Sequence, residues 1–417
     1  MSDAIRISDL ARPQLEPIQR AAIDFGESRT VELTVDAVCA AATARTGLDE
    51  FGPDDFRERL GVQLDEVNAD DERTGIGRLV VFGDCVRYAA NRLRIHALLE
   101  EHPEILDVPI ERPVIVIGLP RSGTTNLVNL LAADSRFRSM PLWESYEPVP
   151  DPTEAMGADG VGPRWTRCDE AWSLMQQAAP FVAAMHPMEP DHVHEEIELQ
   201  CPDFSSYNHE WVCRAPRWRD YYLAHDQTPH YAYMKRVLQI LQWYRPRDRW
   251  VLKSPQHLEQ IGPLMTTFPD ATIVVTHRDP VAVVQSTITM NCYGARTTYR
   301  ETRPEWYRDY WTDRIGRLID ASLRDRHLLP ADRTLDVFFD RYMDDEPSTI
   351  ARIYELAGIE LTERAWAEIE AYRVTHPRSR GGRVVYDLRG DFRTTPEAVR
   401  ERFADYMDAF GVGIEVR

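Results

Sequence analysis

Residues 120–125 read PRSGTT, which sets one guanidinium, one glycine and three hydroxyls within six positions. Such a stretch suits an anion. Hydroxyls and backbone N–H groups donate, a glycine lets the backbone come close, and the arginine supplies charge. The flanks say where it sits: VIVIG before it is a buried-strand run, and TTNLVNLL after it carries apolar residues at helical spacing. A loop between strand and helix turns its amides, the hydroxyls of Ser122, Thr124 and Thr125, and the positive end of the helix toward one point. Gly118 and Gly123 match the glycine spacing of an ATP-binding loop, but Thr124 stands where that loop has its lysine. No acidic strand end nearby offers to hold magnesium. The cradle therefore suits an anion neutralised by arginine better than a magnesium-bound nucleoside triphosphate.

A second anion site is written in THRDPVAVVQS. Arg278 ends a β-branched run, and Ser286 lies eight residues on, about two helical turns, so both can reach one phosphate beyond the strand end. HVHEE places His192, His194, Glu195 and Glu196 together at H-x-H spacing. Without a third histidine or an H-E-x-x-H motif, no metal site is expected there.

These residues need elements to position them. RWVLK and ATIVVTH read as short parallel strands, each followed by a helix: PQHLEQIGPLMTTF, capped by Ser254, and DPVAVVQSTITM, capped by Asp279. TLDVFF adds one more strand. Residues 1–110 read as a helical accessory region, and 111–417 as one α/β domain whose 150–250 stretch is mainly helical and rich in aromatic, Met and His residues. The fold class expected is α/β: a P-loop-like central parallel sheet flanked by helices, with an N-terminal helical region. The chain carries 49 basic and 68 acidic residues, a net charge of −19. That disfavours nucleic acid, anionic membranes and polyanionic glycans as partners. The first residues lack the apolar core of a signal peptide, and no stretch has the length of a membrane span, so a cytoplasmic protein is expected. Six scattered cysteines without a CxxC pair are expected to be reduced and structural.

Taken together, GLPRSGTT, WE, WVLKSPQHL and HRDP followed five residues later by serine resemble the sulfotransferases that use 3′-phosphoadenosine 5′-phosphosulfate (PAPS), in their bacterial small-molecule branch. FFDRYMDDEP and HPRSRGG add to the likeness, which covers roughly residues 112–410. The resemblance implies that Arg121, Ser122, Gly123, Thr124 and Thr125 bind the 5′-phosphosulfate and that Arg278 and Ser286 bind the 3′-phosphate. It also makes Arg378, Arg380 and Gly381 contacts from a basic tail, and places Lys253 beside Arg121 at the leaving oxygen. No metal is implied. Sulfuryl transfer to a hydroxyl requires a general base, and four candidates stand open: Glu144, 23 residues after Arg121 and expected at the end of the next strand, His192, His194 and His257. The acceptor implied is a small apolar or aromatic molecule bearing a hydroxyl. A P-loop kinase or nucleotide hydrolase, and a non-catalytic nucleotide-binding protein of the same fold, are the competing readings. Whether the N-terminal helices cover the acceptor or form a homo-oligomer contact is left open by the sequence.

Overall fold

The computed structural model describes residues 4–157, 161–377 and 382–417. Five strands form the central sheet: β2 (Val114–Gly118), β3 (Phe137–Arg138), β4 (Arg249–Lys253), β5 (Thr272–His277) and β6 (Thr334–Phe338), in the order β3-β4-β2-β5-β6. Every neighbouring pair is parallel, with Val116 opposite Lys253 on one side and Val274 on the other. A further parallel pair joins β1 (Ala4–Arg6) to β7 (Arg383–Val385).

The strands are apolar on both faces because both faces are covered. Ile115, Ile117, Leu252 and Ile273 point into one core, while Val114, Val116, Val251 and Val274 point into another. Fully burying each such side chain contributes about 1.5–3 kcal/mol. Where β2 passes β5 the packing leaves no room: a Cβ on Gly118 would stand 1.9 Å from the Thr276 hydroxyl oxygen.

Of the N-terminal helices α1 (Pro17–Glu27), α2 (Val35–Thr46), α3 (Phe56–Asn68) and α4 (Gly75–Glu101), the last three build a third core around Phe56, Leu60 and Leu93. Phe204, Trp218 and Tyr222 complete that core, so these helices pack on the 200–222 segment. Two expectations need correction. PQHLEQIGPLMTTF is a 3-10 turn (Pro255–Glu259) followed by a separate helix (Ile261–Thr267). Tertiary bonds hold the turn tight: Gln256 accepts from the Tyr207 amide, and Glu259 takes both Nη groups of Arg314. Second, Glu144 follows no long strand; it lies on the short helix α6 (Leu142–Tyr146), after the two-residue β3. The caps at Ser254 and Asp279 stand as expected, with Ser254 accepting from the Gln256 amide and Asp279 from the Val281 amide. Among the described residues no helix is long and apolar enough to cross a membrane. All six cysteines are free and buried.

Candidate active site

Between β2 and α5 (Thr124–Ala132) the loop turns on two residues with positive φ, Arg121 at 64° and Gly123 at 86°. For an arginine that conformation costs roughly 1–3 kcal/mol and persists only where the surroundings enforce it. Ser122 supplies much of the enforcement, donating to the Leu119 carbonyl at 2.6 Å and sharing a 2.7 Å hydrogen bond with Thr276. Arg278 adds a 2.6 Å bond to the Arg121 carbonyl. The Ser122 hydroxyl is thus buried and ties the loop to β5, instead of facing outward with Thr124 and Thr125 as the sequence suggested. Gly123 is backed by Phe339, whose ring would lie 2.9 Å from an added Cβ.

Two cavities open at this loop, beyond the carboxyl ends of the strands, where open parallel sheets bind their ligands. The outer cleft, about 690 Å³, is lined by Gly123, His192, Arg278, Phe339 and Tyr386. The inner cavity, about 400 Å³, is lined by Lys253, Glu195 and His194 and by apolar side chains including Met188, Trp211 and Met290. Both share Arg121, Thr124, Thr125 and His186. The loop is the wall between them.

Charge gathers at that wall. Arg121 has no carboxylate in ion-pairing range among the described residues; its Nε donates to Ser286 at 3.1 Å. Burial, with Arg278 nearby, lowers its pKa, yet a guanidinium stays charged at neutral pH. Ser286 receives a second bond from the Tyr386 hydroxyl at 3.0 Å, so its own O–H is left over to donate. Lys253 ends β4 with its ammonium held between Thr125, at 3.4 Å, and Glu195, at close ion-pair contact. Arg278 lies flat on Phe339, 3.9 Å from the ring centre, and pairs with Glu415 at 2.9 Å.

A parallel sheet with an anion-seeking loop is common to several families, and comparison with known proteins separates them. The family model described as "Sulfotransferase family" matches residues 113–363. The chain belongs to the sulfotransferase family. Among solved structures it is similar to sulfotransferase STF9 from Mycobacterium avium, at 30% identity over 93% of this chain and 100% of that one, with a TM-score of 0.81. It is also similar to STF1 from Mycobacterium tuberculosis, at 28% identity over 91% of this chain and 100% of that one, with a TM-score of 0.76. Such coverage takes in most of the N-terminal helices as well. A curated relative, omega-hydroxy-beta-dihydromenaquinone-9 sulfotransferase Stf3 of Mycobacterium bovis, is 21% identical over 63% of this chain and 67% of its own length.

In this sulfotransferase the residues singled out as bases are scattered. Glu144 lines neither cavity: it is buried against Arg138 at 2.8 Å and Arg245 at 3.0 Å. His257 is locked in the core, with Nε2 2.8 Å from Glu196 and Nδ1 2.8 Å from the Tyr231 hydroxyl. His192 and His194 reach the outer and inner cavities respectively. Burial, then the Lys253 charge, takes His192 down to about 4; burial and the neighbouring histidines and Lys253 hold His194 well below the usual histidine range. Ser286 sits behind Arg121 and Tyr386 and lines neither cavity, whereas Arg278, the residue expected to share a phosphate with it, lines the outer cleft. Arg378, Arg380 and Gly381 lie outside the described residues. The HVHEE segment splits its side chains: Glu195 goes to Lys253, and Glu196 to His257 and the Lys253 amide. Among the described residues no three acids, histidines or cysteines are grouped as a metal site.

Two site residues escaped the sequence. Glu195 was visible only as half of a metal pattern, and the bridge between Pro141 and Val193 that aims it is a long-range pairing. His186 lies on the shared wall with a pKa of about 3, depressed by burial and then by Arg121 and Lys253; nothing in its local sequence marks it.

Proposed function

We propose that this sulfotransferase moves a sulfuryl group from PAPS to a hydroxyl of a small, largely apolar acceptor, with the donor in the outer cleft and the acceptor in the inner cavity. One observation carries the reading: Arg121, without a counter-ion, stands on the wall common to both cavities, backed by Lys253. The residues present fit the donor. Gly123, Thr124 and Thr125 offer a helix N-terminus to the phosphosulfate. Arg278 suits a second phosphate, with Ser286 holding Arg121 and Tyr386 in place behind the cleft, and Phe339 and Tyr386 offer rings to a base.

Transfer forms one bond, from the acceptor oxygen to sulfur, and breaks another, from sulfur to the bridging oxygen. The bridging electrons stay with the phosphate and the acceptor proton must leave. Arg121 and Lys253 stabilise the charge growing on the leaving oxygen. Glu195 takes the proton. It is the cavity carboxylate in contact with Lys253, whereas His192 and His194 hold protons too weakly and Glu144 is committed to two arginines. Lys253 links the two roles, because the ammonium that serves the leaving oxygen also touches Glu195. The inner cavity's Met, Trp and Val side chains suit an apolar acceptor, and a hydroxylated acceptor agrees with the name of the Stf3 relative.

The test is a thermal-shift comparison of 3′-phosphoadenosine 5′-phosphate (PAP) with ATP and magnesium. PAP is expected to stabilise the protein; stabilisation by magnesium-ATP alone would return the site to phosphoryl transfer. Glu195→Gln should then keep PAP binding while turnover from PAPS drops about a hundredfold.

A further inference from the structure

The inner cavity is longer than a reacting hydroxyl needs, and it ends in charge. Its length can be measured along one helix, Pro280–Thr298. Ser286 on that helix receives Arg121 at the reacting end, and Met290, Asn291, Gly294, Ala295 and Thr298 line the cavity as a single face. At 1.5 Å per residue, Met290 to Thr298 spans about 12 Å. The opposite wall is α4, whose Val80, Asp84 and Arg87 line the same space. The two helices meet beyond it, where the Thr74 amide donates to the Thr298 carbonyl.

At that remote end stands Arg73, 3% exposed. It donates to the Gly77 carbonyl, the Tyr299 hydroxyl and the Val212 carbonyl. A guanidinium has five N–H groups, so two are unassigned, one on each Nη. No carboxylate lies in ion-pairing range of it among the described residues. Nearby, Asp84 makes one long contact, 3.4 Å to Arg87, which is otherwise engaged by Glu198 at 2.6 Å. Burial raises the Asp84 pKa, and Arg87 and Arg73 pull it back. Arg73 and Asp84 thus feel each other's charge without touching. Arg73 is a buried group left with donors to spare, which is unfavourable unless a partner completes it, and Asp84, whose side chain keeps 30% of its surface exposed, is open to a ligand beside it.

We propose that Arg73 and Asp84 form a specificity site for a second hydroxyl on the acceptor, at the end remote from the one that is sulfated. The inference rests on the sulfuryl-transfer reading and narrows it to an elongated apolar diol. A hydroxyl meets both groups, accepting from Arg73 while donating to Asp84. A carboxylate would satisfy Arg73 but face the Asp84 charge, and a bare hydrocarbon end would leave both unmet.

Three rod-shaped probes test this with PAP-saturated protein for binding and with PAPS for turnover: 4,4′-bis(hydroxymethyl)biphenyl, 4-(hydroxymethyl)biphenyl and 4′-(hydroxymethyl)biphenyl-4-carboxylate. The diol is expected to bind, and to show KM, about tenfold or more below the mono-alcohol. In Asp84→Ala the ratio should fall toward one. Equal KM for diol and mono-alcohol, preference for the carboxylate, or a ratio unchanged in Asp84→Ala would each overturn the assignment while leaving sulfuryl transfer standing. Failure of every probe to bind a protein that PAP still stabilises also overturns it. Absence of PAP stabilisation instead removes the parent reading. Should Asp84→Ala not fold, the wild-type preference alone decides.

Discussion

Arg314 and Arg121 are both arginines set into the body of this protein, and they are used in opposite ways. Arg314, with no exposed side-chain surface, bonds Glu210 at 2.8 Å and Glu259 at 2.6 Å. There, two carboxylates meet one cation. At the loop, Arg121 meets a serine hydroxyl and no carboxylate, with Lys253 close behind it. Arg314 has its charge answered from within the chain; Arg121 waits for an anion from outside. Buried cations are uninformative about function until their partners are counted.

The contrast breaks most visibly at its structural half. Arg314→Met leaves Glu210 and Glu259 buried without a cation, which should cost about 3–5 kcal/mol of stability in urea denaturation. A loss below about 1 kcal/mol would mean that the carboxylates find other partners or protonate freely. The functional half should respond in a different measurement. Arg121→Ala is expected to lower kcat with PAPS by about 10²–10³-fold while its denaturation midpoint stays near wild type. Lost stability with turnover intact would exchange the roles of the two arginines.

The same contrast explains what could be read in advance. Strands announced themselves because VIVIG, RWVLK and TIVVTH are buried on both faces, and burial on both faces writes a continuous apolar run into local sequence. The loop was legible for a similar reason: glycine, hydroxyls and arginine lie within six residues. Carboxylate pairing is different, because it is settled between elements far apart in the chain. Nothing near Glu144 says that Arg245, 101 residues on, will claim it. Nothing in HVHEE says that Glu195 turns to Lys253 while Glu196 turns to His257, since both partners lie about 60 residues on in the chain. For the same reason PQHLEQIG read as one helix, although Gln256 and Glu259 are held in a tight turn by Tyr207 and Arg314.

An anion-seeking site also leaves a mark on pH dependence. His186, at about 3, and His192, at about 4, are held neutral first by burial and then by nearby cations, Arg121 and Lys253 for His186 and Lys253 for His192. An unfolded histidine takes its proton near pH 6.5. Between that value and about 4 the unfolded chain binds more protons than the folded one, so stability falls as pH is lowered and is unaffected above 6.5. His186→Asn should flatten this slope by about 1 kcal/mol per pH unit at most, less because the cleft admits solvent. A slope unchanged in denaturation curves from pH 6.5 to 4.5 would show that His186 is not held neutral by its place on the wall.

Arg278 stands between the two extremes and offers the finest test. It is paired, yet only with Glu415, and both side chains keep partial exposure, 22% and 29%. The Glu415 backbone is pinned by Asp279, which accepts from the Glu415 amide at 2.8 Å and the Val416 amide at 3.0 Å. A ligand phosphate that takes Arg278 must therefore compete with a carboxylate held in place, whereas at Arg121 it competes with none. Partly exposed pairs of this kind are worth about 0.2–1 kcal/mol. Glu415→Gln should accordingly tighten PAP binding by up to about fivefold in calorimetry, with no gain for adenosine 5′-phosphate, which lacks the 3′-phosphate. Equal gains for both nucleotides would move the Arg278 contact from the 3′-phosphate to a group they share. No gain for either would place Arg278 with Arg314, as a cation already answered by its own chain.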